Sequence, residues 1–277
     1  MGTLHVVATP IGNLEDVTLR ALRVIGEADL LFAEDTRRTR KLLERHGIDA
    51  RPLSLHAHNE QSRVDRALEA LAGDGRVALV SDAGTPLVSD PGERLVAAAI
   101  AAGHRVEAVP GASAILAALA VAGLSAEPFT FLGFLPRRAG ARKQVLEAYR
   151  NRAETLILFE SPKRIEKTLA ELAEALGDRR ACVARELTKM HEEARRGRLS
   201  ELVGHYAGGV LGEITVVVEG ATEVPAALEE SEVDAEIRAR IRAGERPKDI
   251  AAALAAPTGL AKRDLYARAL ALRTERA

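Results

Sequence analysis

This chain contains few of the residues that stabilise a small protein through disulfides or large aromatic side chains. Its 277 residues include one cysteine, no tryptophan and only 3% aromatic side chains. The lone Cys182 excludes an internal disulfide, and no Cys/His set has zinc-ligand spacing. We therefore expect no metal site, a reducing compartment, and a core packed mainly from Ala, Val, Leu and Ile.

Long apolar runs are also missing, since no stretch reaches the ~18 residues needed to cross a bilayer. The chain enters strand-like sequence directly, without the basic, apolar and cleavage segments of an export signal. It is therefore expected to be cytoplasmic, with no membrane contact. Its length exceeds that of one domain, roughly 100 to 200 residues, and predicts two compact units with a small appendage.

Excess charge of either sign is absent as well, because the formal net charge is −1. This excludes a uniformly basic nucleic-acid binder, so any contact with a polyanion must come from local patches. Basic residues do cluster in four places, namely residues 37–41, 137–143, 195–198 and the tail from Arg238. Taken singly, each patch is equally typical of a solvated helix face.

Short β-branched runs alternate with helix-length amphipathic stretches as far as about residue 220, which predicts an α/β fold. The predicted strands are 4–8, 30–33, 77–81, 105–109, 129–132, 155–159, 180–185 and 213–219. The predicted helices are 17–25, 36–46, 61–71, 93–102, 111–124, 142–150, 162–176 and 199–206. An acidic linker around Pro225 then precedes helical patterns at 233–243, 247–254 and 262–272, two of which have helix-turn-helix dimensions.

Three predicted strands end in loops rich in Gly, Pro, Ser, Thr and Asp, at residues 9–13, 81–92 and 110–113. In an open α/β sheet such loops form the ligand crevice, because glycine lets the backbone approach a ligand and the polar side chains supply acceptors. Any one of them is also compatible with plain turn chemistry. Neither a P-loop nor a dinucleotide fingerprint is present. Asp82 suits a ligand that offers ribose hydroxyls or an ammonium group.

The order of short motifs between residue 4 and about residue 220 is more specific than any one of them. The motifs lie at residues 9–16, 34–37, 58–60, 81–86, 110–113, 133–136, 160–162, 185–189 and 212–213. In this order they resemble the ribosomal RNA ribose methyltransferases of the tetrapyrrole-methylase superfamily. One departure is Ala57, where relatives often carry an acidic residue.

The resemblance implies an α/β tetrapyrrole-methylase (class III methyltransferase) fold, with two α/β/α domains at 1–122 and 123–222 and a cleft between them. It implies that S-adenosylmethionine binds in this cleft and that the protein is a homodimer. The implied target is the 2′-hydroxyl of a cytidine in the decoding region of 16S rRNA, either as naked RNA or in the small ribosomal subunit. The implied cofactor-binding residues are Pro10, Asp82, Gly84, Thr85, Ser113, Ala114 and Glu213.

Methyl transfer to a ribose hydroxyl calls for a general base, or for a cation that stabilises the forming alkoxide. Histidine titrates near neutrality, which makes His58 a candidate base; the alternative is a surface or capping histidine. Lys189 could activate the hydroxyl or hold a phosphate, with Glu186 fixing its position. The alternative for this pair is an exposed ion pair of little energetic value.

The tail at 233–277 is predicted to be a small helical module that docks RNA. From Arg238 onward it carries ten Lys/Arg against four Asp/Glu, a surplus of six. Such a module binds RNA by releasing counterions from phosphates; the alternative is a capping or dimer-stabilising appendage. The residues expected to contact RNA in the whole chain are Arg37, Arg137, Arg138, Lys248, Lys262 and Arg263.

Two other functions remain open on the residues alone. The same scaffold could methylate a tetrapyrrole or a protein side chain, which would require neither the basic tail nor the clustered arginines. Alternatively, a non-catalytic RNA-binding factor in ribosome assembly could have kept the fold. Methyl incorporation from labelled S-adenosylmethionine into small ribosomal subunits separates the three hypotheses.

Overall fold

The computed structural model describes residues 2–56, 59–222, 230–258 and 260–274. These residues divide into two compact units, the first ending at Ala221 and the second beginning at Thr222. The candidate base His58 and most of the predicted linker lie outside the described residues. Within the described ranges, no helix is long and apolar enough to cross a membrane.

A parallel sheet forms the first half of unit one. Its strands in the described chain are β1 (Thr3–Val7), β2 (Leu30–Ala33), β3 (Pro52–Ser54), β4 (Arg76–Val80) and β5 (Arg105–Val109). Their order is β3-β2-β4-β1-β5, and each neighbouring pair is parallel. The connections contain helices α1 (Leu19–Gly26), α2 (Thr36–Arg45), α3 (Glu60–Ala72) and α4 (Glu93–Ala101). Parallel pairing brings the carboxyl ends of the strands to one edge, where ligand crevices form.

A mixed sheet forms the second half of unit one. Its described strands are β6 (Phe129–Phe134), β7 (Thr155–Glu160), β8 (Arg180–Arg185), β9 (Glu193–Arg198) and β10 (Ile214–Val218), in the order β6-β7-β10-β8-β9. Only β6 and β7 pair in parallel among these strands. The helices of this half are α6 (Ala139–Ala148), α7 (Ile165–Leu176) and α8 (Leu199–Tyr206). β10, with the sequence ITVVV, is buried at every position because it lies between β7 and β8 in a sheet covered on both faces.

One further helix, α5 (Ala114–Ala122), joins the two halves of unit one. It follows β5 in the chain, yet its buried residues belong to the same apolar cluster as strands of the second sheet. Its sequence, AILAALAVA, consists of small and aliphatic residues, which allow a helix to approach a sheet closely. The buried members of this cluster are Ile11, Ala118, Leu119, Ala122, Ile157, Cys182, Ala184, Leu187 and Val217.

Unit two consists of three helices in its described part: α9 (Glu230–Arg242), α10 (Pro247–Thr258) and α11 (Lys262–Thr274). These helices share an apolar core of their own, to which Ile237, Leu254 and Leu265 contribute. Arg268 of α11 also pairs with Asp234 of α9, at 2.6 Å between Nε and Oδ1. An apolar core and a cross-helix ion pair within the 56 residues of unit two indicate that its own contacts stabilise this unit.

Two strands were not predicted from the sequence. β3 is three residues long, begins with a proline and lies at the sheet edge, where proline is tolerated. β9, at the edge of the second sheet, has the sequence EARRGR, which lacks the apolar alternation of a typical strand. The basic residues at 195–198 therefore belong to an edge strand and not to a helix face.

Arg142 is a correction to the predicted basic patch at 137–143. Its side chain is buried, its Nη1 donates hydrogen bonds to the carbonyl oxygens of Pro136 and Arg137, and its guanidinium binds Glu171 through two nitrogens. A buried guanidinium with these partners fixes the start of α6, and it is not available to RNA. Arg137 and Arg138 remain exposed.

Two glycine substitutions test this packing, and we expect them to change the free energy of unfolding in opposite directions. A Cβ on Gly220 would lie 1.9 Å from the carbonyl oxygen of Ala153, a backbone atom that cannot rotate away. Gly220→Ala should lower the free energy of unfolding by about 1–3 kcal/mol. Gly140, in α6, meets nothing within 4 Å, so Gly140→Ala should raise it by up to about 1 kcal/mol. Denaturant titration measures both, and a neutral Gly220→Ala would contradict the close approach of Gly220 to Ala153.

Candidate functional site

A cavity of about 420 Å³ opens where the carboxyl ends of the first sheet meet the second sheet. Its size is within the usual range of small-molecule sites. One wall consists of loops that follow β2, β4 and β5, and the other of residues from β6, β7, β8 and β10 with their flanking loops. The lining residues are Ile11, Glu34, Arg38, residues 82–85, residues 88–90, residues 113–115, Phe134, residues 159–162, Ala184, Leu187 and residues 212–215.

The loops that follow β1 and β4 are tied together by their backbones. Thr9 and Gly84 exchange two hydrogen bonds, with N···O distances of 2.9 and 3.0 Å. The Thr9 hydroxyl also donates to the carbonyl oxygen of Ser81, at 3.1 Å. Gly84 has φ +82°, and a Cβ there would lie 3.4 Å from Ile11 Cγ2. The left-handed backbone at the cavity wall therefore favours glycine at position 84.

The first turn of α5 supplies another part of the same wall. Ser113 is the N-cap residue, and its hydroxyl accepts a hydrogen bond from the Leu116 N–H at 3.5 Å. Ser113 and Ala114 both line the cavity. The unpaired N–H groups of a helix start favour a carboxylate or another anion nearby.

Three acidic side chains lie on the first-sheet side of the cavity: Glu34, Asp82 and Asp90. Asp82 is fixed by the Asp35 N–H at 2.7 Å and by the Arg38 guanidinium at 3.5 Å. Burial raises the pKa of both Glu34 and Asp90, and the nearby Asp82 carboxylate raises both further. This wall therefore attracts cations and retains protons more readily than isolated carboxyl groups do.

Beside the opposite wall, Lys189 connects the carboxylate of the lining residue Glu213 with that of Glu186; neither Lys189 nor Glu186 is itself part of the lining. Its Nζ lies 2.8 Å from Glu186 Oε1 and 2.9 Å from Glu213 Oε2, and the Glu213 N–H donates to Glu186 Oε1 at 2.8 Å. Burial alone would lower the pKa of Lys189, but hydrogen bonds to the two carboxylates raise it. The hydrogen bond from Lys189 lowers the pKa of Glu186. Both groups are therefore charged at neutral pH, so Lys189 can act as a cation but not as a base.

The loop containing Lys189 also contacts the loop that follows β1. The Asn13 N–H donates to the Thr188 hydroxyl at 3.0 Å. A Cβ on Gly12 would lie 2.6 Å from Lys189 Cγ and 2.7 Å from Thr188 Oγ1. This close approach is a second contact, besides α5, between the two halves of unit one.

The structure brings most of the expected cofactor residues to this one cavity: Asp82, Gly84, Thr85, Ser113, Ala114 and Glu213 all line it. Pro10 is buried beside the Thr9–Gly84 pair and is not part of the lining. Glu186 and Lys189 reach the wall through Glu213. Among the residues expected to bind RNA, Arg37, Arg137, Arg138, Lys248, Lys262 and Arg263 are all exposed.

Several lining residues received no role from the sequence, and the polar or aromatic ones among them include Glu34, Asp90, Phe134 and Phe159. Glu34, Asp90 and Phe134 lie in loops or motifs that were noted at 34–37, 81–92 and 133–136. The sequence signal that could have identified these three residues was therefore their position within the noted segments, and not their spacing from the expected cofactor residues.

The chain matches a known family. The family model of the tetrapyrrole (corrin/porphyrin) methylases matches residues 3–203, so the chain belongs to this family and is a methyltransferase. Solved structures agree on the fold: diphthine synthase has a TM-score of 0.63 at 20% identity, covering 79% of this chain and 90% of its own. A Thermus thermophilus uroporphyrin-III-C-methyltransferase has a TM-score of 0.55 at 22% identity, covering 78% and 94%. The expected fold class is confirmed.

Closer relatives share a single name, ribosomal RNA small subunit methyltransferase I. That of Mesorhizobium japonicum is 48% identical, with 98% of this chain and 92% of its own length covered. That of Halalkalibacterium halodurans is 44% identical, with 96% and 93% covered. That of Thermotoga maritima is 45% identical over 221 residues, which are 79% of this chain but 99% of the relative. A relative of this name therefore lacks a counterpart to about a fifth of this chain.

Substitution of two carboxyl groups should change the free energy of unfolding in opposite directions, and both changes should depend on pH. The folded pKa of Glu186 is depressed, so its stabilising effect is present above the unfolded pKa and lost as pH falls through the folded pKa. The folded pKa of Asp90 is raised, so its favourable effect is present below the unfolded pKa and lost as pH rises through the folded pKa.

At neutral pH, Glu186→Gln should therefore be less stable than the wild type and Asp90→Asn more stable, and both differences should shrink as the solution is acidified. Denaturant titration from pH 4 to pH 8 measures this. Equal and parallel curves for both variants would contradict the assigned charge states.

Proposed function

We propose that this methyltransferase transfers a methyl group from S-adenosylmethionine to the ribose 2′-hydroxyl of a cytidine in the decoding region of 16S rRNA. The observation that carries the proposal is the meeting of three separate loops, at 81–86, 110–113 and 212–213, in one cavity. The proposal is supported by relatives named ribosomal RNA small subunit methyltransferase I at 44–48% identity over nearly the whole chain. It includes action in the cytoplasm as a homodimer.

The residues of the cavity fit S-adenosylmethionine chemically. Its cationic sulfonium and ammonium groups suit the acidic wall with Asp82, and its carboxylate suits the start of α5 at Ser113. Ile11, Ile115 and Leu187 provide apolar surface for a planar base. The left-handed Gly84 allows the backbone to lie against the ligand where a side chain would project. The cofactor, when bound, supplies an electrophilic methyl group.

The protein's contribution is positioning and charge. Holding an acceptor hydroxyl in line with a methyl donor can lower the barrier by roughly 7–11 kcal/mol. Lys189, a cation held by Glu186 and Glu213, would stabilise the forming alkoxide or hold a phosphate of the target. Glu186 would act as a positioning residue, because it contacts both Lys189 Nζ and the backbone of Glu213.

RNA binding is assigned to exposed arginines near the cavity and to unit two. Arg37, on the first turn of α2, adjoins Arg38 of the cavity wall, and Arg137 and Arg138 follow Phe134 in sequence. Lys248, Lys262 and Arg263 of α10 and α11 would add phosphate contacts. The Thermotoga maritima relative is almost fully covered by 221 residues of this chain, a length equal to that of unit one, and this length is what a catalytic unit without a tail would require.

Methyl incorporation tests the proposal. With labelled S-adenosylmethionine and unmethylated small ribosomal subunits, the protein should label 16S rRNA, and nuclease digestion should release 2′-O-methylcytidine. Naked 16S rRNA, a tetrapyrrole and bulk protein serve as alternative acceptors. Labelling of a macrocycle or a protein alone, or RNA binding without any labelling, would contradict the proposal.

Two glycine variants with nearly the same backbone strain separate cofactor binding from folding. Gly84 and Gly103 have φ +82° and +80°, but only Gly84 lines the cavity, and Gly103 has no neighbour within 4 Å. Gly84→Val should weaken S-adenosylmethionine binding more than tenfold, about 1.4 kcal/mol. Gly103→Val should cost similar stability but leave that affinity unchanged. Calorimetric titration compares them, and equal affinities would count against the cofactor site.

Removal of unit two tests its role in RNA binding. A chain ending at Ala221 keeps both sheets and every lining residue of the cavity. It should bind S-adenosylmethionine normally and bind small subunits more weakly, and the dependence of that binding on salt should be shallower because fewer phosphates are neutralised. Loss of cofactor binding, or conversion to monomers with unchanged RNA affinity, would show that the tail is structural.

A further inference from the structure

Phe134 is an unusual residue for a cavity wall in this chain. Aromatic residues make up only 3% of the sequence, yet two phenylalanines, Phe134 and Phe159, line the cavity. Their ring centroids are 5.6 Å apart with the planes tilted by 57°, and Phe131 supports Phe159 from behind at 4.9 Å. Phe134 itself is 56% exposed. The contact with Phe159 therefore holds the Phe134 ring in place, while the exposed part of the ring stays open to a ligand.

The acidic wall lies close to this surface. A Cβ added to Gly133 would lie 3.8 Å from Ser89 Oγ, so the loop just before Asp90 approaches the end of β6 that carries Phe134. Glu34 and Asp90 both line the cavity with Phe134. The cavity thus combines an open aromatic ring with a pair of carboxyl groups near it.

These two features match the base of a single unpaired nucleotide. A base turned out of an RNA strand is bound by stacking on an aromatic side chain and by hydrogen bonds along its pairing edge. Cytosine presents an N4 amino donor beside the N3 acceptor, and acidic side chains accept from its amino group. At this place in the cavity, Glu34 and Asp90 supply carboxyl oxygens that can accept from that amino group. Uracil presents the opposite order, an O4 acceptor beside an N3–H donor.

We propose that Phe134 stacks on the base of the target nucleotide and that Glu34 and Asp90 read its pairing edge, selecting cytosine over uracil. This inference rests on the proposed function, since it identifies how that function chooses its nucleotide. Arg137 and Arg138, exposed and three and four residues beyond Phe134, would hold the flanking phosphates.

Steady-state kinetics with small subunits at saturating S-adenosylmethionine tests the stacking role. Phe134→Ala should raise the KM for RNA about 5- to 150-fold, the range given by roughly 1–3 kcal/mol of stacking per base. Phe134→Trp should restore it to near the wild-type value. Phe129→Ala is the matched control, because Phe129 is an exposed phenylalanine of the same strand that does not line the cavity. It should behave as the wild type.

Subunits that carry uridine at the methylated position test the reading of the base. The wild type should prefer cytidine, measured as the ratio of the kcat/KM values for the two kinds of subunit. Glu34→Gln, whose amide oxygen still accepts a hydrogen bond, should retain most of this preference. Glu34→Ala should reduce it about tenfold.

Three results would overturn the inference. The first is a loss of S-adenosylmethionine affinity in Phe134→Ala, which would assign the ring to the cofactor. The second is an unchanged KM for RNA in that variant, and the third is equal use of cytidine and uridine by the wild type. In these cases methyl transfer to RNA by the wild type would leave the proposed function standing. Inactivity of the wild type on every RNA acceptor would overturn both.

Discussion

The packing of α5 against the second sheet is the constraint on which the site depends. α5 leaves the first sheet directly after β5 and the loop at 110–113, so its first turn belongs to the cavity wall. Its buried residues Ala118, Leu119 and Ala122 share an apolar cluster with Ile157 and Val217 of the second sheet. Because the helix is a rigid connection, the loops of the first sheet are held against β7 and β10. Neither sheet alone would form an enclosed site.

The charges of the cavity are separated in a way that suits the proposed chemistry. On one wall, Glu34 and Asp90 are partly buried and have raised pKa values, so this wall holds protons to a higher pH than isolated carboxyl groups do. Beside the other wall, in contact with Glu213, Lys189 and Glu186 stabilise each other's charged forms. Environments that push the pKa values of titratable groups apart are typical of sites that must keep neutral and charged groups side by side. The acidic wall suits a cationic cofactor, while Lys189 provides a positive charge, which suits an alkoxide or a phosphate.

The sequence was sufficient to predict most strands of both sheets, because buried strands such as β10 are continuous apolar runs, and it also marked the loops that line the cavity. It failed at β3 and β9, since edge strands bury little and carry proline or arginine instead. The interpretation of Arg142 was wrong because its burial depends on Glu171, which is distant in sequence. Phe134 and the Glu34–Asp90 pair could not be recognised as neighbours either, because only the folded chain brings β6 beside the loop at 88–90. Local sequence patterns thus predict helices and strands, whereas contacts between the two halves of unit one can be identified only from the structure.

The central claim is that one cofactor site is built from both halves of unit one. Hydrogen exchange with and without S-adenosylmethionine tests it most directly. The cofactor should protect the backbone amides around Gly84–Thr85, Ser113–Ile115 and Glu213–Thr215 together, with the same dependence on its concentration, because these segments line one cavity. Protection confined to the segments of one half, or appearing in the two halves at different concentrations, would contradict it.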